Sequence, residues 1–184
     1  TFNALPSEEA KKKITEFVAG RWTTTYKLRD WLISRQRYWG TPIPIVYDPE
    51  GKPHSIPEKH LPLKLPTDVD FPPTGVAPLA RSKELLKRTE KIFGKGWKPE
   101  PDTMDTFVDS SWYFLRYLDP KNKKEFASLK KQKTWMPVSR YSGGSEHTTM
   151  HLLYARFFHK ALHDLALVPG EEPFVERFNR GLIL

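Results

Sequence analysis

The sequence predicts an α/β fold, and three observations carry that prediction. A stretch with strand character, WMPVSRYSGG at 135–144, ends in the glycine pair Gly143-Gly144. The next segment repeats apolar side chains at helical spacing (Met150, Leu153, Tyr154, Phe157, Phe158, Ala161 and Leu165), which gives a helix from Ser145 to about Leu165. Upstream, short strand-like stretches such as IPIVY at 43–47 alternate with helical ones. Strand, glycine turn and helix form the local pattern of a nucleotide-binding α/β unit, although neither the three-glycine dinucleotide fingerprint nor a P-loop is present.

The elements follow in order. SEEAKKKITEFVA at 7–19 reads as a short helix. Ser7 is its N-cap, Glu8 and Glu9 complement the dipole, Ile14, Phe17 and Val18 form its apolar stripe, and Gly20 ends it. Residues 26–35 read as helical or turn-like. Ile43, Ile45 and Val46, set between prolines, suggest an edge or bounded strand. Eight prolines between 48 and 78 mark an irregular or β-ribbon excursion. SKELLKRTEKI at 82–92 gives a basic amphipathic helix, and FGKGWKPEP a turn-rich return. DTMDTFVDSSWYFLRYLDP at 102–120 combines a short strand with a helix starting near Ser110 or Ser111. Lys121–Lys133 reads as an exposed connection.

Composition narrows the function. With 184 residues the chain can bury one sizeable core and a small appended module. It has no cysteine, which excludes a disulfide framework and a thiolate zinc site and fits a reducing compartment. No apolar run approaches the roughly 20 residues that span a bilayer, and no basic-then-apolar leader opens the chain. The expectation is a soluble, intracellular protein, cut from something longer because it starts at Thr1. The net charge is +8, with seven Lys or Arg from Arg81 to Lys98 and six Lys from Lys121 to Lys133. Such a balance suits a polyanion, nucleic acid above all.

His147 and His151, four residues apart on one helix face, could share a metal. The glycine pair before them supports another reading, because a flexible turn at a helix start leaves backbone N–H groups free for a ligand. The residues alone leave both open.

Four stretches in a fixed order decide the matter: LRDWLISRQRYWGTPIPIVY at 28–47, DTMDTFVDSSWYFLRYLDP at 102–120, MPVSRYSGGSEHTTMHLLYARFFHK at 136–160, and the closing RFNRGLIL. Together they resemble the leucyl-tRNA synthetases, a class I aminoacyl-tRNA synthetase family. Isoleucyl and valyl relatives share the R-Q-R-Y-W-G-type segment, but a D-V-W-F-D-S-like stretch is expected there in place of 106–113.

The resemblance implies the second half of a Rossmann-like catalytic domain, resumed after an editing insertion. Residues 1–47 would return into that domain, 48–101 form a small inserted module, and 102–184 form the catalytic half-domain. The H-I-G-H and K-M-S-K-S signatures, which the family carries on either side, are not in this sequence. By resemblance, Gly143, Gly144, Glu146 and His147 meet the adenosine of ATP or of the leucyl-adenylate. Phe107, Ser110, Tyr113 and His151 form the leucine pocket, His151 alternatively being a hydrogen-bonded core histidine and Trp112 a core aromatic. Arg35, Arg37 and Trp39 meet the tRNA acceptor end.

The implied activity is ligation of leucine to tRNA(Leu) with ATP and Mg²⁺, in the cytoplasm of a bacterium or in an organelle. It would need the remaining parts of the synthetase (the H-I-G-H half, the editing domain and the K-M-S-K-S half), and the fragment alone is expected to be inactive. No covalent catalytic residue and no membrane contact are expected. The alternatives are an isoleucyl- or valyl-type fragment, or a non-catalytic tRNA-binding or assembly subunit.

Two departures stand out. Many relatives carry a cysteine-ligated zinc module where 48–101 has only His54 and His60, so no zinc is expected and packing and turns must hold that module. Ser139 stands where an aspartate is expected.

Overall fold

The computed structural model describes residues 2–72 and 75–181. The closing Leu182, Ile183 and Leu184 of the G-L-I-L stretch, and Pro73 of the proline-rich region, lie outside the described residues. The chain divides into two compact units, Thr1–Trp31 and Leu32–Leu184.

The first unit holds α1 (Ser7–Phe17), which buries none of its residues. Ser7 is the first helical residue and not the cap. That position belongs to Pro6, whose fixed φ suits a helix entry and whose side chain accepts nothing. Ala19, at φ 53°, and not Gly20 takes the left-handed turn that ends the helix, and Gly20 N–H donates back to Thr15 O at 2.8 Å. No helix forms over 26–35: the chain is irregular with a bend at Lys27–Leu28, and Ser34–Arg35 is strand β1.

In the second unit, β1 pairs antiparallel with β5 (Thr103–Met104). Strand β2 (Ile45–Tyr47) pairs with both β3 (Pro53–Ser55) and β4 (Lys98–Pro99). It is therefore the central strand of its sheet and not an edge, with Val46 fully buried. The flanking prolines lie where they remove no ladder bond from β2 itself.

Helix α2 (Lys83–Phe93) forms as the pattern requires. Ser82 Oγ accepts from Leu85 N–H at 2.9 Å, and Asp68, reaching in from the proline-rich stretch, accepts from Glu84 N–H at 2.9 Å. An aromatic row closes the module: His60 against Phe93, Phe93 stacked on Trp97 at 5.4 Å, and Trp97 against His54 at 5.1 Å. His54 is further held by Asp48, 2.7 Å away. Ring contacts thus involve both histidines of residues 48–101, and Asp48 holds one of them.

The helix expected from Ser110 or Ser111 starts earlier, at Thr106, because Asp105 caps it through Phe107 N–H. Helix α3 (Thr106–Ser110) then breaks at Trp112 before α4 (Tyr113–Leu118). Within 121–133, α5 (Leu129–Trp135) replaces part of the expected exposed connection. Its Gln132 is buried, donating to the carbonyls of Ala127 and Leu167. Polar periodicity hid this helix, since its one inward side chain is an amide.

Strand β6 (Val138–Gly144) runs parallel to β7 (Phe174–Arg180), with α6 (His151–Asp164) between them in sequence. Gly143 and Gly144 are the last strand residues, not a turn, and Ser145 does not cap. A single 3-10 turn, Ser145–Thr148, precedes α6, so the predicted helix from Ser145 is two pieces. The buried row of α6 is His151, Ala155 and His159. Met150, Leu153, Phe157 and Leu165 of the predicted stripe are exposed. Small Ala155 permits close approach, and His151 is bonded through both ring nitrogens, whereas His159 Nδ1 is buried without a partner among the described residues. The core around it is Phe114, Leu115, Ala155 and Val168, with Trp112, Tyr113, Phe126 and Phe174 packed against it.

Candidate active site

A cavity of about 320 Å³ opens where α3, α4, the end of β6 and the start of α6 converge. That is the lower end of the size range of small-molecule sites. Phe107, Ser110 and Tyr113 line one side, Tyr141, Ser142 and Gly143 another, with His147, His151, Thr106 and Arg177 completing the wall. The structure therefore brings the predicted pocket residues Phe107, Ser110, Tyr113 and His151 together with Gly143 and His147 from the predicted nucleotide set. Gly144 and Glu146 lie next to this wall without lining it.

The helix breaks explain how short elements converge here. The Asp105 cap turns α3 so that Phe107 and Ser110 face α6, where Phe107 lies against Tyr154 at 5.1 Å between ring centres. Tyr113, at the start of α4, brings its hydroxyl to 2.6 Å from that of Tyr141 on β6. The Tyr141 hydroxyl is in turn 2.8 Å from His151 Nε2, and His151 Nδ1 is 3.1 Å from Ser110 Oγ. Four side chains from four elements thus form one chain of hydrogen bonds along the cavity wall.

Both nitrogens of His151 are committed to this chain, and its ring is 6.4 Å from that of His147. The pair is arranged as a positioned core residue and a cavity-wall residue, not as a shared metal clamp. Burial first, then the charges of His147 and Arg177, hold His151 below the usual histidine range, so it is neutral at pH 7. Burial and the bond to Tyr113 push the Tyr141 phenol up, so it stays protonated.

The glycine pair has a clear steric reason. A Cβ at Gly143 would lie 3.0 Å from Arg177 Nη1, and a Cβ at Gly144 would lie 2.3 Å from a Glu146 carboxylate oxygen. The glycines therefore make room for two charged side chains of the chain itself.

A second cavity, about 640 Å³, is lined by Arg35, Arg37, Tyr38, Trp39, Phe71, Met104, Asp105 and Thr106. Here the R-Q-R-Y-W-G stretch divides its labour. Arg35 pairs with buried Asp105 at 3.1 Å, Tyr38 donates to Pro66 O at 3.0 Å, and Trp39 is 80% exposed. Gly40 passes so close to β5 that a Cβ would meet Met104 O at 2.6 Å. Thr106 lines both cavities, so the two share a wall.

The pattern reading missed Tyr141, Ser142, Thr106 and Arg177. Tyr141 was within reach, because period-2 alternation back from Gly143 puts it on the same strand face. Arg177 opens the RFNRGLIL stretch that carries the resemblance, but no local pattern marked 174–180 as a strand.

The family model for tRNA synthetases class I (I, L, M and V) matches residues 7–184, and the chain belongs to that family. Within the class, curated relatives about half identical to it are leucine–tRNA ligases. The chain is 52% identical to the leucine–tRNA ligase subunit alpha of Aquifex aeolicus, with all of this chain and 29% of that protein aligned. It is 48% identical to the leucine–tRNA ligase of Dehalococcoides mccartyi (100% and 23% covered) and 50% identical to that of Thermosipho melanesiensis (99% and 23%). Among solved structures it is similar to the ternary complex of Agrobacterium radiobacter K84 agnB2 LeuRS with tRNA and LeuAMS. That match has a TM-score of 0.82 and 41% identity, covering 95% of this chain and 22% of the other. The chain thus spans about a quarter of the length of these relatives. The fold is that of the class I synthetase catalytic domain. No helix among the described residues is long and apolar enough to cross a membrane.

Proposed function

We propose that this chain supplies the leucine pocket and one wall of the adenylate site of a leucyl-tRNA synthetase. One observation supports this most: an apolar wall of Phe107, Tyr113 and Tyr141 meets Gly143 and His147 in a single cavity. The sequence around it is about half identical to leucine–tRNA ligases. Phe107 and the two tyrosine rings take the isobutyl group, and Ser110, fixed by His151, limits its depth. His147 and the exposed Glu146 reach the nucleotide, Glu146 accepting from ribose hydroxyls.

The reaction is in-line attack of the leucine carboxylate on the α-phosphorus of ATP, with departure of pyrophosphate, followed by transfer of leucine to the tRNA 3′ end. It asks for alignment and charge stabilisation, not for a protein nucleophile. ATP arrives with Mg²⁺, but no carboxylate lines the cavity, so these residues do not fit as its ligands and no step is assigned to it. Arg35, Arg37 and Trp39 guide the acceptor end, their cavity meeting the leucine site at Thr106. The chain's similarity to bacterial leucine–tRNA ligases supports a cytoplasmic setting. A missing methylene in an apolar pocket is worth only ~1–3 kcal/mol, so this pocket alone cannot reject every smaller aliphatic amino acid.

The test is leucine-dependent ATP–pyrophosphate exchange. Combined with the segments that bear H-I-G-H and K-M-S-K-S, on the same or a second chain, these residues support exchange with leucine and far less with isoleucine or valine. The 184 residues alone support none, because transition-state contacts are missing. Exchange that prefers another amino acid, or that the lone chain catalyses at full rate, contradicts the proposal.

A further inference from the structure

Arg177 is the one full positive charge on the leucine-site wall, and no Asp or Glu lines that cavity. Its guanidinium donates to Gly144 O at 2.8 Å and, through a long bond, to Tyr141 O at 3.4 Å. It lies 5.5 Å from the centre of the Tyr141 ring. Its Nε–H is buried without a partner, and among the described residues Arg177 makes no ion pair. Among the described residues Arg37 and Arg180 meet no carboxylate either, but both are exposed, and the other arginines of the unit are matched differently. Arg35, Arg140 and Arg156 each meet a carboxylate. Arg116 is satisfied by the carbonyls of Asp119, Asn122, Glu125 and Phe126. Arg177 is therefore a half-buried cation on the wall of a cavity lined by no Asp or Glu, a combination that calls for an anionic ligand group.

Resting on the leucyl-adenylate reading of the cavity, we propose that Arg177 binds the α-phosphate of ATP and of the aminoacyl-adenylate. Two observations choose phosphate over the amino-acid carboxylate. The guanidinium is tied to the Gly143–Gly144 end of β6, where Gly143 leaves it room, and not to the Phe107–Ser110 end. The chemistry agrees. When a carboxylate oxygen bonds to the α-phosphorus, the bond to the bridging oxygen breaks and pyrophosphate leaves with the electron pair. The carboxylate charge is then gone, whereas the phosphate keeps one negative charge throughout. A fixed cation serves both states only if it faces the phosphate.

The experiment is equilibrium binding to the assembled synthetase, wild type against Arg177→Gln and Arg177→Lys, with three probes. Leucinol has the amine and side chain but no anion, adenosine has the nucleoside alone, and leucinol adenylate joins them through a phosphodiester anion. Arg177→Gln should weaken leucinol adenylate by about 10- to 100-fold, the span of a charge-assisted hydrogen bond, and leave leucinol and adenosine within about twofold. Arg177→Lys should recover part of the loss. Leucine itself should bind Arg177→Gln as well as wild type, whereas a loss for leucine equal to that for leucinol adenylate would assign Arg177 to the carboxylate and overturn the proposal. An equal loss for all probes would make Arg177 a structural tie between β6 and β7, also overturning it. If Arg177→Gln does not fold, Arg177→Lys decides by the same selectivity. A wild-type enzyme that binds neither leucinol nor its adenylate contradicts the reading of the cavity itself, a distinguishable failure.

Discussion

His151 stands between Tyr141 and Ser110, with Nε2 2.8 Å from one hydroxyl and Nδ1 3.1 Å from the other. A neutral imidazole carries one ring proton, so it donates to one hydroxyl and accepts from the other. The ring is thereby locked between β6 and α3, and Ser110 is held at one rotamer. The residue works by positioning the wall, at a site where a charged ring would be costly.

That neutrality predicts a pH dependence of folding. His151 and His159, the latter buried on the next turns of α6, are both held below the ordinary value of 6.5 mainly by burial. As pH falls the unfolded chain binds these protons first. The stability from the neutral rings is full above about pH 6.5 and is lost as pH falls below it towards the folded-state values. Urea unfolding at pH 7.5, 6.5 and 5.5 should show this, with a slope of up to ~1.4 kcal/mol per pH unit for each ring. His151→Gln should flatten part of that slope. Glu172, held down to about 2 by Arg156 and Lys160, loses its contribution only in a separate window below its ordinary 4.5.

Gly144→Ala should mimic a loss of Glu146. The backbone at 144 is open to any residue, with φ −61°, but the new Cβ would displace the Glu146 carboxylate. Thermal unfolding should change little, while the Michaelis constant for ATP rises as in Glu146→Gln. The double variant should be no worse than the worse single one, and fully additive effects would separate the two residues.

Folding of residues 48–101 should be indifferent to chelators. The His60–Phe93–Trp97–His54 row already packs the rings of both histidines of this region. EDTA should leave the melting temperature unchanged, whereas Trp97→Ala should lower stability by about 2–3 kcal/mol, scaled down from a fully buried aromatic. A chelator-dependent transition would mean that metal contributes.

The strand ending in the glycine pair and helix α2 were legible from local pattern, and the residues of 106–113 through the resemblance alone. The interior row of α6 was not. Met150, Leu153 and Phe157 outrank His151 and His159 in hydrophobicity, yet the histidines face inward, His151 held there by Tyr141 and Ser110. Helix α5 hid for the same reason behind Gln132, and Arg177 lay in a strand whose parallel partner is more than 30 positions away. Partnerships across long sequence separations leave no local trace.

Leucine and ATP Michaelis constants for Ser110→Val and Glu146→Gln, measured in the assembled synthetase, probe the division of the site most directly. Ser110→Val fills the pocket and strips His151 Nδ1 of its partner, so Ser110→Ala serves as the control for the lost bond, which costs about 1–3 kcal/mol. Ser110→Val should raise the Michaelis constant for leucine well beyond Ser110→Ala and leave that for ATP within about twofold. Glu146→Gln should do the reverse, by about 10-fold or more for ATP. If Ser110→Val impairs ATP while Glu146→Gln impairs only leucine, the cavity is not the leucine pocket.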